Sequence, residues 1–494
     1  MRTTQSAIVR IAELQQLLET ALIDIYKLLP QHTSSQLQTY LSPLRDDLSV
    51  YVEYPYVDKV YRSSYYTYFS TKHREYNRDC IRVSLFEGQI QKEHFRKTEF
   101  AEMLQKTFRG FFIVRPTRVC IVGRSMISPR ALKSSNFCCC LVETNAMVNG
   151  CKLSVEAFPY SSQDTETISC AETTIWGVME YFGNRYPEYK PVLPAEIIGV
   201  LSTFSYERQI PTHGLTAEQI AYSLKAFGFG VRVYAREIHK DDLKRIFNYY
   251  VESGIPFVCV LKNNEIGHGV VVMGRENWSA RAFPTGTPSE TIRAQSRMVE
   301  VYDTADIPSR YLSMDDNYPP YQLADYDNPT AYYSDPRFQN CTVQGIIVPL
   351  YQKVYLEALQ ARQLVFNILK SDICVSISGT ISLRLQLTSS RSFKAVVASN
   401  SSIAESVRDL ILSTDMAKFV WVAELSNPTL FSVRKAFALV LLDATEANEN
   451  SIDALLVMFY SNSMITLNDK QEFEVASVPF SEFDIYSNNL RGGF

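Results

Sequence analysis

Apolar side chains recur near the start of the chain at Ile11, Leu14, Leu18, Ile25 and Leu28, with Ala21 between them. Steps of three and four residues predict an amphipathic helix of about six turns, ended by Pro30. The stripe reads as an ordinary core-facing surface rather than a coiled-coil seam. A tyrosine-dense stretch (51–88) follows, then a helical pattern around Phe100 to Phe108 and strand-like runs at 110–124 and 136–160. Residues 1–150 therefore read as an N-terminal α+β domain of unknown role.

From 151 to 350 the order of periods changes. Helices follow Cys170 and Pro194, and a third opens on the capping box of Thr216 and Gln219 and closes at Gly228 and Gly230. A short strand at 231–235 and a helix at 241–254 come next. The runs 255–262 and 268–275 form a hairpin across Asn263-Asn264, and 298–303 is a further strand. Helices first and strands afterwards is the order of an α+β fold with segregated halves. The Pro-, Tyr- and Asp-rich stretch 276–340 is expected to form a long ordered loop beside the site. Residues 351–494 read as a C-terminal α+β domain, with a helix over 352–372 and strands over 382–399, 418–426, 436–445 and 453–467.

A chain of 494 residues exceeds one core and implies two or three domains. Its 46% apolar and 21% charged content is that of a soluble globular protein. A net charge of −4 disfavours a nucleic-acid partner. Arg10, Glu13, Glu19 and Asp24 interrupt the N-terminus, which excludes a secretory signal, and no apolar run is long enough to span a membrane. Ten cysteines without an export signal read as reduced thiols, hence a cytoplasmic location.

The candidate chemistry centres on Cys170, at the first turn of its helix, with Gln163 and Asp164 just upstream and His268 opening an apolar strand. A thiol attacks only as thiolate, which a helix N-terminus and a neighbouring imidazolium both favour. Ile175, Trp176, Met179 and Phe182 would face the core and pin the helix, while Glu172 in the first turn would oppose a thiolate if its carboxylate lay close. Gly267 and Gly269 let a substrate backbone approach His268. A carboxylate ordinarily orients such a ring. Asp303, ending the strand Val299 to Tyr302, is the candidate, with Asp306 second. Gln163 and the Cys170 backbone N–H are the candidate oxyanion donors. This order requires no metal or organic cofactor.

With these residues in hand, the region 155–310 resembles the papain-like cysteine peptidase superfamily. Within it, the region is most similar to bacterial double-glycine leader peptidase-like (bacteriocin-processing-like) domains in soluble form. The residues that carry the resemblance are Gln163, Cys170, Tyr181-Phe182-Gly183, Gly214-Leu215, His268 to Val272, and Asp303. Three departures stand. Gln163 lies one residue further upstream than is typical, Ala171 replaces the usual Gly, and an insertion at 276–297 separates His268 from Asp303. The resemblance implies a papain-like domain flanked by the other two, and hydrolysis of a peptide or isopeptide bond in a bacterial regulatory or defence context. The partner would be a peptide or protein substrate, with no membrane; the oligomeric state stays open. The alternatives are an inactive papain-like scaffold that binds proteins, and a transglutaminase-like acyltransferase.

Other features are weaker. Cys138, Cys139 and Cys140 on an apolar strand suit packing better than a zinc site. Arg62, Lys72, Arg74, Arg78 and Arg82 among tyrosines suit a solvated face better than nucleic-acid contact. The C-terminal Gly492-Gly493-Phe494 has the shape of a segment that glycine-selective peptidases accept, so self-cleavage after Gly493 is a further expectation beside that of a flexible tail.

Overall fold

Leu14, Leu18 and Leu22 are fully buried on one face of the helix Ile11–Tyr26, as their spacing requires. The helix ends at Lys27, whose φ of 55° turns the chain out of the helical path. A computed structural model of the chain describes residues 5–28, 33–277, 283–294, 297–447 and 452–494. Pro30, expected to stop the first helix, lies outside them. The fold is α+β, and among the described residues no helix is long and apolar enough to cross a membrane.

Three large sheets organise the molecule. The first is an antiparallel meander of Gln5–Arg10, Leu48–Tyr56, Cys80–Glu87, Phe108–Val114 and Val122–Ile127, paired in chain order. The second has seven strands. Gly267–Glu276 lies at its centre between Phe257–Lys262 and Tyr311–Met314, Gln322–Ala324 flanks the latter, and Thr342–Leu350 with Gly230–Ala235 completes the other side. The far end of Gly267–Glu276 also pairs with Phe137–Cys139. The third sheet runs from Glu290–Ala294 and Arg297–Asp303 through Gly379–Ser389 to five further C-terminal strands. The helix Cys170–Arg185 lies across the second sheet, where Ile175, Val178 and Met179 share one core with Val258, Val271 and Met273.

The sheets cross the segment limits expected at 150 and 350. Phe137–Cys139 joins the central sheet, and 290–303 belongs to the C-terminal one. One continuous core likewise runs from Ile11 through Phe229 and into the central strands. Besides the expected strand, Arg297–Asp303, the stretch 276–340, expected as loop, contributes three more in its described part: Glu290–Ala294, Tyr311–Met314 and Gln322–Ala324. The run 382–399 is strand only to Ser389. The Ser389 hydroxyl accepts from the N–H of Ser392 and opens the helix Ser390–Ser399, which buries Phe393 and Val397 one turn apart.

The C-terminal tail is not free. Arg491 bridges to Cys139, and the Phe494 ring lies 6.0 Å from that of Phe137. Cys139 pairs with Gly274, and His268 lies about 20 Å away along that strand at ~3.3 Å per residue. The Gly-Gly pair therefore rests well away from His268 rather than beside it. All ten cysteines are unpaired; Cys139 and Cys140 are packed in the core. Among the arginine and lysine candidates for nucleic-acid contact, Arg82 is buried against Glu53, Arg62 pairs with Asp79 and Lys72 with Glu166.

Candidate active site

Cys170 is delivered by a tight turn and held by a cap. The Asp164 carboxylate accepts hydrogen bonds from the backbone N–H groups of Glu166 (3.0 Å), Thr167 (2.6 Å) and Ile168 (3.0 Å), closing the turn before the helix. Ser169 caps the helix: Glu172 accepts from its backbone N–H (3.0 Å) and from its hydroxyl. The other Glu172 oxygen accepts from the Thr212 hydroxyl at 2.7 Å. The carboxylate expected to oppose a nearby thiolate is thus committed to the cap and to the 205–215 loop. Beyond Cys170, residues Ala171 to Phe182 are all buried, so the helix start cannot drift without disrupting the core.

The opposite wall is the strand Gly267–Glu276. A side chain at Gly269 would touch Thr174 at 3.6 Å, and one at Gly177 would press on Met314 at 3.0 Å, so helix and sheet meet closely beside the site. This approach sets Cys170 beside His268, close enough for the thiol to favour the charged ring. The imidazole is 4% exposed. Its Nε2 lies 3.1 Å from Asp315 Oδ1 and 3.1 Å from the Tyr333 hydroxyl, and Phe338 packs edge-on against the ring.

Asp315 accounts for the ring's orientation. Its carboxylate accepts from the hydroxyls of Tyr332 (2.6 Å) and Tyr333 (2.6 Å) and from the backbone N–H of Asn317 (3.0 Å), besides facing His268. Burial works against the charge of both partners. Their mutual attraction wins: His268 is held well above its ordinary value, and Asp315 is held below the usual carboxylate range with the help of both tyrosines. The pair stands as imidazolium and carboxylate. Asp316, next in the chain, is 2% exposed, and neither of its oxygens accepts a hydrogen bond from the described residues. Burial, only partly offset by the pull of His268 and reinforced by the neighbouring charge of Asp315, pushes this carboxyl up to about 7.

Asp303 does not orient His268. It is buried elsewhere, salt-bridged to Arg362 at 3.0 Å, bonded to the Tyr249 hydroxyl and capping Ala305. The reason is strand order. Arg297–Asp303 pairs with Gly379–Ser389 in the third sheet, so the neighbour of the histidine strand is Tyr311–Met314, and the residue that follows it is Asp315. Asp306, the second candidate, pairs with Arg245 on the surface. The apolar run Tyr311–Met314 closed by Asp315-Asp316 was the signal available in the sequence.

Gln163 is brought to the site. Its amide nitrogen donates to Asn317 at 2.7 Å, Asn317 donates to the Tyr333 hydroxyl at 3.2 Å, and Tyr333 reaches His268. The Gln163 amide carries a second hydrogen for another acceptor. Of the four candidate residues, the structure sets Cys170 beside His268, links Gln163 to that ring through Asn317 and Tyr333, and leaves Asp303 out. No protein-family model matches this chain, and no curated protein matches it in sequence.

Proposed function

We propose that the chain is a papain-like thiol hydrolase that cleaves a peptide or isopeptide bond. The observation that carries this reading is the placing of Cys170 beside His268 and of His268 against Asp315, with the thiol at the start of a buried helix and the ring braced at Nε2. Cys170 Sγ, as thiolate, attacks the carbonyl carbon and forms a C–S bond. The oxygen, now anionic, is received by the Cys170 backbone N–H and the Gln163 amide. Collapse breaks the C–N bond while the imidazolium gives its proton to the leaving nitrogen. The neutral ring then takes a proton from water, whose oxygen attacks the acyl carbon. The C–S bond breaks, and thiolate and imidazolium are restored. An amine in place of that water would give acyl transfer by the same groups. Asp315 stays ionised throughout, fixing the ring and its charge.

One observation favours a second reading, a papain-like scaffold that binds proteins without turnover: Tyr333 and Phe338 lie over His268 and leave the ring buried. Alkylation separates the two. Only Cys120, Cys151 and Cys170 are partly exposed, so Cys120 and Cys151 are the internal references. Peptide mapping after brief iodoacetamide treatment should find Cys170 modified far faster than either reference, and slowed by His268→Ala. Equal labelling of the three would leave the scaffold reading in possession.

A further inference from the structure

We infer that His268, Asp315 and Asp316 form a binding site for a zinc-class divalent cation, and that a seated cation shuts down the thiol centre. The second half rests on the hydrolase reading; the first does not. One donor atom from each residue lies within 4.8 Å of the other two, and all three residues are buried. His268 Nε2 is 3.1 Å from Asp315 Oδ1 and 4.0 Å from Asp316 Oδ1. A zinc ion held at about 2.0–2.2 Å sets its donors roughly 3–4 Å apart, so small side-chain shifts would close the cage.

An independent feature points to a missing ligand. Both Asp316 oxygens are buried with no hydrogen-bond donor among the described residues, next to a second carboxylate that has four: two tyrosine hydroxyls, a backbone N–H and the imidazole. A buried carboxylate without a partner is costly, and a doubly charged cation is the compact group that satisfies it. One imidazole nitrogen and two carboxylates suit zinc and its neighbours, whereas calcium and magnesium call for about six oxygen donors.

The consequence for the thiol centre is simple proton chemistry. With the cation on Nε2, the proton that bonded Asp315 is released, and the remaining ring nitrogen keeps its hydrogen. Such a ring has no lone pair with which to take a proton from the thiol or from water. The cation would thus inhibit by occupying the orienting side of the base, away from the substrate.

The test uses the full chain carrying Cys170→Ala, which removes the thiol as a competing ligand, stripped with EDTA and titrated with zinc sulfate by calorimetry and thermal melting. One-site binding with a rise in Tm is expected. The added Asp316→Asn change should weaken affinity by about tenfold or more. Should that double variant not melt cooperatively, Cys170→Ala/His268→Ala is read in its place by the same criterion. No binding by the Cys170→Ala chain, or undiminished binding by the double variant, overturns the site. Since the titration is read without the thiol, its outcome stands apart from that of the alkylation assay.

Discussion

Two adjacent aspartates at the end of one strand, Asp315 and Asp316, meet opposite fates. The first is surrounded by donors and stays ionised; the second has none and is pushed toward its neutral form. The charge of Asp315 is what sustains the imidazolium, because burial alone would drive the ring the other way. Asp315→Asn removes the opposing charge while keeping the shape. His268 then loses the strongest influence holding it up, so the imidazolium gives way at lower pH. Cys170 alkylation at pH 7 should drop about tenfold or more, and the loss should be smallest in alkaline solution, where a thiol ionises without help. A pH profile of alkylation for wild type and variant checks both; coincident profiles would deny Asp315 its role. Cys170, His268 and Gln163 were legible in the sequence because each sits at a recognisable position on an element. Asp315 was not, because the choice between two strand-end carboxylates is a matter of sheet pairing.

At the scale of the element, what delivers the thiol is a three-part local device: the Asp164 turn, the Ser169–Glu172 cap and the apolar helix behind them. The helices and most strands could be read from periods of 3.6 and 2, since burial on one face enforces those periods. The reading failed where local pattern is ambiguous. Residues 382–399 alternate well enough for one strand, yet the serine at 389 supplies a helix cap that alternation does not reveal. Strands inside 276–340 were hidden by prolines and aspartates at their ends, where those residues serve as turns. The Asp164 device is testable by itself. Asp164→Ala strips the acceptor from three backbone N–H groups, two of them on buried residues. It should cost about 2–4 kcal/mol in urea unfolding and slow Cys170 alkylation in protein that is still folded. Asp164→Asn, which keeps an acceptor oxygen there, should recover most of both losses. Full alkylation of folded Asp164→Ala would show that the turn does not position the thiol.

Across the whole molecule, the central and C-terminal sheets are joined through a buried ion cluster. Glu252, ending a helix that packs on both, receives Arg275 of the histidine strand at 2.9 Å and Arg384 of the third sheet at 2.7 Å; Arg384 also reaches Glu424 at 2.7 Å. The C-terminal tail passes over the same point, with Asn488 donating to the Glu252 carbonyl and to Gln386. Burial opposes the charge on Glu252, but the two guanidinium groups overcome it and hold the carboxyl at about 2. A folded-state value below the unfolded one contributes stability that is complete above about pH 4.5 and lost as pH falls through about 2. Glu252→Gln leaves Arg275 without this carboxylate and Arg384 with Glu424 as its remaining ion-pair partner here, and should cost roughly 3–5 kcal/mol at pH 7. The stability gap between wild type and Glu252→Gln, followed by urea unfolding at successive pH values, should be constant above pH 4.5 and narrow steadily toward pH 2. A gap that keeps its neutral-pH size in acid would mean that the two sheets are held together by their apolar contacts and not by this charge.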